Sequence, residues 1–329
     1  MELDLISIII PCYNASRYLN DVFLSIKNQT YQNLEVVFVD DGSTDDTPKM
    51  LDEFAKDYSK AKVIHKVNED VSVARNTGIK SSKGKYIYFM DSDDIIHPDT
   101  ISYLYNLMQK HNADVVNYRT KRVSSSISYL STKFKKIQSA KISVYNTVDE
   151  VYTALLVDMN EHGPTSKLFK RDILKKLKTY PNVFNKNVSY GEDSLFLFSC
   201  FKFCERAVWS KAELYYYRQI KNSKVHSNFK ESDALFLDYT DELINLDPIK
   251  FPQSSKYTRS ALCLHAMDLI RKFSTSDYKN PETAEKIYRL YRDNLKYLPH
   301  LSRYPLAYRF GTLFTLPVMY LMIRKKLKG

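Results

Sequence analysis

The sequence is poor in cysteine: Cys12, Cys200, Cys204 and Cys263 are the four in 329 residues, and no two form a CxxC pair. A disulfide framework or a structural zinc site is therefore not expected, and reduced thiols fit better. Cys200 and Cys204 stand four apart in a helical stretch, a spacing that could share a ligand but with no second pair reads as core packing. A secretory leader is not expected either. Met1-Glu2-Leu3-Asp4 puts acids where a signal peptide carries positive charge, so export is not expected and the sequons at Asn14, Asn28 and Asn187 mean little. The first apolar run ends in Pro11-Cys12-Tyr13-Asn14 rather than in a glycine-rich turn. That absence disfavours a dehydrogenase, a kinase and a sugar nucleotidyltransferase, which cradle phosphates in such a loop. An EF-hand is excluded because no acid cluster has the required spacing, central glycine and closing glutamate. No internal repeat is present.

What is there is enough for a full core: 44% of the residues are hydrophobic, and the length suits one large domain with an appendage, or two domains. The net charge of +11 points to anionic partners. A phosphorylated ligand and an acidic membrane surface both qualify, whereas nucleic acid is not expected because no recognition motif accompanies the charge. Over residues 1–120 short apolar runs alternate with amphipathic stretches, which predicts an α/β fold on a mainly parallel sheet. Strands are expected at Leu5 to Pro11, Leu34 to Val39, Val63 to His65, Tyr86 to Met90 and Val115 to Tyr118. Helices are expected between them, the first capped by Asn14 or Ser16, the second opening at Thr47-Pro48, the third over Val71 to Lys80 and the fourth from Pro98. Val123 to Ala140, rich in Ser and Lys, reads as an exposed hairpin or excursion. Helices near Val148 to Asp158 and Glu192 to Cys204 precede a strand at Leu214 to Tyr217, and the chain is helical from about 230.

Open sheets of this kind bind ligands outside the carboxyl ends of their strands, and two of these strands end in acids, Asp40-Asp41 and Asp91-Ser92-Asp93-Asp94. Carboxylates on such a rim repel a diphosphate unless a cation bridges them, and oxygen-only ligands suit Mn²⁺ or Mg²⁺. A metal-chelated nucleotide is the simplest ligand. The plainer alternative is that acids end strands because they cap the turn or helix that follows.

Five blocks carry a resemblance: Ser7-Ile8-Ile9-Ile10-Pro11-Cys12-Tyr13-Asn14, Ser25-Ile26-Lys27-Asn28-Gln29-Thr30, Val39-Asp40-Asp41-Gly42-Ser43-Thr44-Asp45, Ala74-Arg75-Asn76-Thr77-Gly78 and Asp91-Ser92-Asp93-Asp94. In this order the chain resembles a family 2 glycosyltransferase with the GT-A fold, of the bacterial cell-surface polysaccharide type. The resemblance is dense to about residue 120 and thin to about 226. It implies transfer from a UDP-sugar to a hydroxyl of a glycan or lipid-linked acceptor, with inversion and a divalent cation. Asp41 resembles the acid that meets uracil, beside Pro11 and Tyr13. Asp91 and Asp93 match the Asp-x-Asp motif, the second acid being the firmer metal ligand and the first, with Ser92, lying nearer the ribose. Asn68 and Arg75 fall at donor contacts, Arg75 either orienting the nucleotide or pairing with Asp91. After Asn68 the sequence Glu69-Asp70-Val71 departs from the small residues usual there.

Further on, Tyr190-Gly191-Glu192-Asp193-Ser194-Leu195-Phe196 resembles the family's Glu-Asp motif, which makes Asp193 the candidate base and Glu192 the next. Favourable charge at a helix N-terminus is the alternative for either. Gly163 to Lys170 resembles a loop usually read Pro-Trp-Asn-Lys-Leu, with Thr165 and Ser166 replacing Trp and Asn. Tyr215-Tyr216-Tyr217-Arg218 and His226 resemble the closing segment, in which His226 is a candidate metal ligand or an ordinary surface histidine. The tail, Leu306 to Ile323 followed by Arg324-Lys325-Lys326-Leu327-Lys328, is apolar but broken by Arg309, Gly311 and Pro317. It suits an anionic membrane interface better than a crossing, with a buried terminal helix as the alternative. The expected organisation is a GT-A domain over 1–228, with a nucleotide-sugar half at 1–120 and an acceptor half at 121–228. A helical region over 229–329 follows, on a cytoplasmic protein peripheral to the inner membrane face. A catalytically silent glycan-binding or assembly protein with the same fold is the rival of another class.

Overall fold

The computed structural model describes residues 3–137, 140–157, 163–188, 191–220, 229, 231–240, 246 and 249–300. The chain forms two compact units, Met1–Thr147 with Glu161–Lys186 and Asp193–Lys221, and Val148–Asn160 with Asn187–Glu192 and Asn222–Gly329.

The first unit begins with β1 (Ile6–Cys12), α1 (Ser16–Lys27), β2 (Leu34–Asp41), α2 (Thr47–Asp57), β3 (Ala61–Lys66), α3 (Val71–Ser81) and β4 (Tyr86–Phe89). β1 pairs in parallel with β2 and with β4, and β2 with β3. Every residue of β1 is buried, as a central strand covered on both faces must be. Ile6, Ile8 and Ile10 meet Leu19, Val22 and Ile26 of α1 in the main core. On the other face α3 comes so close to Ile9 that a Cβ on Gly78 would lie 2.3 Å from the Ile9 Cγ2, a contact only glycine permits.

The chain continues through β5 (Ile95–Ile96), α4 (Thr100–His111), β6 (Val115–Ser124), β7 (Ile142–Tyr145), α5 (Val148–Val157), β8 (Lys167–Lys170), α6 (Arg171–Lys175), α7 (Glu192–Phe201) and β9 (Ala207–Gln219). The sheet order is β3-β2-β1-β4-β8-β6-β9-β5, with β7 also on β9. β8 is antiparallel to both of its neighbours, while β6 and β9 run parallel. The result is the mainly parallel, mixed α/β sheet that the sequence predicts.

Several local details differ from the sequence reading: β6 runs to Ser124 rather than ending at Tyr118, and β5, β7 and β8 are strands that it does not predict. α1 has Ala15 at its N-cap position with no side-chain cap, because Asn14 instead accepts from the Thr44 N–H at 2.8 Å. β9 is 13 residues long rather than four. The excursion after β6 is not wholly exposed: Phe134 packs edge-on against Tyr216 and His97, and Tyr129 is buried beside Ile95.

In the second unit α5 accompanies α8 (Ser254–Thr275) and α9 (Pro281–Asn294). Asp149 of α5 accepts from the backbone N–H groups of Gln253 at 3.0 Å and Ser254 at 2.9 Å, capping the N-terminus of α8 from across the chain. α9 opens with Asn280, whose side chain accepts from the Thr283 N–H, and with Pro281 in its first turn. Leu262, Ala266, Leu269 and Phe273 of α8 are buried, as are Ile287 and Tyr291 of α9. The C-terminal region is thus helical. Among the described residues no helix is long and apolar enough to cross a membrane. The tail from Leu306 lies outside the described residues, and so does His226.

Candidate active site

The carboxyl ends of β1, β2, β3 and β4 bring four loops to one rim of the first unit. Asn14, with φ +48°, donates its N–H to the Ser43 hydroxyl at 3.0 Å. Asp45 accepts from the Ser16 N–H at 3.1 Å and the Thr47 N–H at 3.0 Å. Partial burial works against that carboxylate, yet the bonds from Ser16 and Thr47 hold it down at about 2. These contacts pin the loop after β1 to the loop after β2, leaving Tyr13 with 53% of its surface exposed. Pro11 is buried in β1 opposite Val39.

The two acids at the end of β2 have different partners. Asp40 accepts from the Ser43 N–H at 3.1 Å and meets His65 Nδ1 at 2.9 Å. Asp41 accepts from Lys66 Nζ at 2.7 Å and from the Glu69 N–H at 3.0 Å. Gly42, at φ +74°, lets this loop lie against Asn68: a Cβ there would stand 2.7 Å from the Asn68 backbone nitrogen. Glu69 also holds Lys66, at 2.9 Å, so the departure from small residues after Asn68 builds an ion pair beneath Asp41.

Arg75 of α3 is the centre of the rim. Its side chain is only 5% exposed, lies over the Phe184 ring at 5.3 Å, and spans two acids, Asp91 at 3.2 Å and Asp193 at 2.6 Å. The ring is held there by its own backbone, because Asn76 both donates to Phe184 O at 2.7 Å and accepts from Phe184 N at 2.9 Å. The Asp91 N–H donates to the Tyr215 hydroxyl at 3.1 Å. Desolvation raises the Asp193 carboxyl from its ordinary value although 32% of the side chain is exposed; Arg75 pulls it back and Asp91 pushes it further up. Glu192 opens the same helix, but Asp193 makes the pair with Arg75.

Burial, with Asp91 nearby, pushes Asp93 up to about 6, and burial holds Asp94 well above its usual value. Arg75 at Asp91 and Arg218 near Asp93 only partly offset the crowding of these acids. Among the described residues no group of three His, Cys, Asp or Glu side chains forms a metal centre. The donor set nevertheless fits Mn²⁺ or Mg²⁺ accompanying a nucleotide, because Mg²⁺ in particular is commonly held by one or two carboxylates with substrate phosphates and water completing the shell. Ser92 hydrogen-bonds Cys12, a thiol that burial raises.

Sequence reasoning named Lys167 within a motif without giving it a role. Lys167 is wholly buried, donates to Gly163 O at 2.8 Å and Ser166 Oγ at 3.2 Å, and favours the charged form of Asp193. The Gly163 turn adjoins that acid, since a Cβ on Gly163 would lie 3.9 Å from Asp193 Oδ2. Lys66 and Phe184 were also missed; the lysine stands in strand register with Asp41, whereas nothing local marks Phe184.

The family model described as glycosyl transferase family 2 matches residues 7–177. Glycosyltransferase GlyG of Streptococcus pneumoniae serotype 4 is 30% identical over 239 residues, which cover 70% of this chain and 76% of that protein. TarS of S. aureus, solved with UDP-GlcNAc, superposes with a TM-score of 0.65 at 20% identity, over 99% of this chain and 91% of that one. The mannosyltransferase PcManGT from Pyrobaculum calidifontis, solved with GDP-Man and Mn²⁺, gives 0.50 at 17% identity, over 98% and 84%. The likeness to TarS establishes the GT-A fold.

Proposed function

This chain belongs to glycosyltransferase family 2, and on that premise we propose that it moves a sugar, with inversion, from a UDP-sugar to a hydroxyl of a glycan or lipid-linked acceptor in cell-surface polysaccharide synthesis. The observation that carries the reading is the Arg75 bridge. It brings Asp193, 118 residues away in sequence, onto the same rim as Asp91.

In the proposed reaction the acceptor oxygen attacks the anomeric carbon, its proton passes to the Asp193 carboxylate, and the bond to the diphosphate breaks with its electron pair leaving on the diphosphate. A base whose affinity for protons is raised by burial suits that transfer, which typically contributes about 10²- to 10⁴-fold. Arg75 fixes the Asp193 carboxylate in place. Asp41, itself oriented by Lys66 and the Glu69 N–H, would accept from the uracil ring beside the exposed Tyr13. Asn68 and Ser92 complete the donor contacts. Asp93 with Asp91 would hold a divalent cation, which would supply positive charge against the departing diphosphate. TarS, which shares the fold, binds UDP-GlcNAc, and this supports a UDP-sugar as the donor class.

The test is release of UDP or GDP, each measured separately, across a panel of UDP- and GDP-sugars with Mn²⁺ and acceptor glycans, run beside Asp193→Asn. Release from a UDP-sugar that the variant loses is the expected result. Turnover of GDP-sugars alone would overturn the donor class, and no release at all would favour a silent binding protein. The tail would hold the enzyme at the cytoplasmic membrane face, each of its cations being worth roughly 1 kcal/mol near an anionic surface. A chain cut after Pro305 should then stay in solution with anionic vesicles that sediment the intact chain.

A further inference from the structure

Between Asp114 and Asp149 the sequence contains no acid, but it holds Arg119, Lys121, Arg122, Lys133, Lys135, Lys136 and Lys141. The fold gathers part of this charge around one concavity. A cavity of about 240 Å³ lies where the excursion after β6 crosses β9, and Lys121, Lys135, Lys136 and Lys211 line it, with Glu213 the one acid among its described lining residues. Tyr216 forms part of the wall, and the Lys121 ammonium stands 5.7 Å from the centre of its ring.

The excursion is anchored rather than loosely draped. Phe134 packs against Tyr129, Tyr216 and His97. His97 Nε2 lies 3.0 Å from the Lys135 carbonyl oxygen, and the Lys211 N–H donates to Lys141 O at 3.0 Å. Aromatic packing and backbone bonds thereby hold the segment of Lys135 and Lys136 to the cavity that Lys121 and Lys211 also line. Four lysines against one acid give this hollow a positive local potential, which favours an anionic guest.

The cavity also has a definite relation to the acid rim. β9 runs from Lys211, through Tyr216 on the cavity wall, to Arg218, whose N–H donates to Asp94 at 2.8 Å. At about 3.3 Å per strand residue, Tyr216 and Lys211 stand roughly 7 and 23 Å along the strand from that contact. This span fits a few sugar units. The volume falls below the roughly 300–1,000 Å³ of pockets that enclose whole ligands, so the cavity suits one charged substituent of a longer chain.

We propose that this lysine-lined cavity binds an anionic group, a phosphodiester or a carboxylate, carried by the acceptor glycan, so that the enzyme selects negatively charged acceptor chains. The inference rests on the glycosyltransferase reading above. A concave site with an aromatic wall fits a discrete anion on a polymer better than a flat bilayer.

The experiment measures binding of a glycerol-phosphate polymer, polygalacturonate, neutral dextran and phosphatidylglycerol vesicles to the intact protein, and to the exposed-site variants Lys135→Glu/Lys211→Glu and, as a charge-matched control on α2, Lys49→Glu/Lys56→Glu. At least one anionic polymer should bind and dextran should not. The cavity variant should weaken that binding about tenfold or more, as loss of close charged contacts requires, while the control variant should not. Unchanged binding in the cavity variant, or equal loss in both variants, overturns the proposal. So does loss of binding only to phosphatidylglycerol vesicles, which would make the site a membrane contact. UDP affinity is measured in parallel on all three proteins. If none of them binds UDP, the donor reading itself fails; if UDP binds equally and only polymer binding stays unmoved, the acceptor proposal alone fails.

Discussion

Asp193 lies 2.6 Å from the Nη1 of Arg75, although 118 residues separate them in the chain. The same guanidinium reaches Asp91 at 3.2 Å. A base placed this way is oriented and partly neutralised by one side chain, and its tendency to hold a proton reflects burial set against that cation.

Asp193→Asn should lower kcat by about 10² or more while donor affinity barely changes, as loss of a general base requires. A base works deprotonated, and the Asp193 carboxyl is raised, so the acid limb of kcat/KM against pH should lie above the ordinary carboxylate range. Arg75→Gln removes a charge that lowers it, so that limb should move to still higher pH. An unmoved limb would place the titrating group elsewhere.

Asp93→Asn should uncouple donor binding from the cation. Calorimetry of UDP binding to the parent protein should show a marked loss of affinity in EDTA, and the variant should bind weakly with or without Mn²⁺. Equal affinity of the parent in both conditions would remove the metal bridge.

Gly42→Ala should weaken both fold and donor binding. The left-handed conformation costs a side chain about 1–2 kcal/mol, and the new methyl would stand 2.7 Å from the Asn68 nitrogen. A lower Tm together with a higher Kd for UDP is expected, whereas a Tm shift with unchanged Kd would clear Asn68 of a donor role.

His65 supplies a pH-dependent contribution to stability. Its bond to Asp40 raises its pKa above 6.5, partial burial opposing. The stabilisation is therefore complete below pH 6.5 and is lost as pH rises through the higher folded value. Chemical denaturation of His65→Gln should show a deficit at pH 6 that shrinks by pH 9. The side chain is 42% exposed, so the effect should be small. A deficit that is the same at both pH values would assign it to packing.

The first 120 residues were legible because β1, β2 and β4 are largely apolar runs set between amphipathic or capped helices, whereas β3, with Lys62, His65 and Lys66, shows only its short Val63-Ile64 core. β8 was not legible. Its sequence Lys-Leu-Phe-Lys gives two apolar residues between two lysines, and the burial of Lys167 depends on acceptors at Gly163 and Ser166 that only the fold supplies. β9 looked short because exposed Lys211 and Glu213 break its apolar run while alternating with buried Ala212 and Leu214. Asp193 could be placed by motif, but its partner could not: Arg75 next to Asp91 was an open alternative, and the third member of the bridge depends on the turn of α7 against α3. The role of Phe184 beneath the guanidinium had no local signal.

The placement of β8 has an evolutionary consequence. This strand, from residue 167 onward, is inserted between β4 and β6, and its Phe169 stands in register with Ile87 on one side and Val115 on the other. A gene fragment ending near residue 120 would leave the edge of β4 without its neighbour, an open apolar ladder that invites aggregation. Recombination between relatives therefore cannot exchange the segment after residue 120 at a clean joint. Any chimera that exchanges this segment has to carry a β8 matched to the resident β4 and β6, so changes in this lineage are expected to arise by substitution within loops more readily than by shuffling of segments.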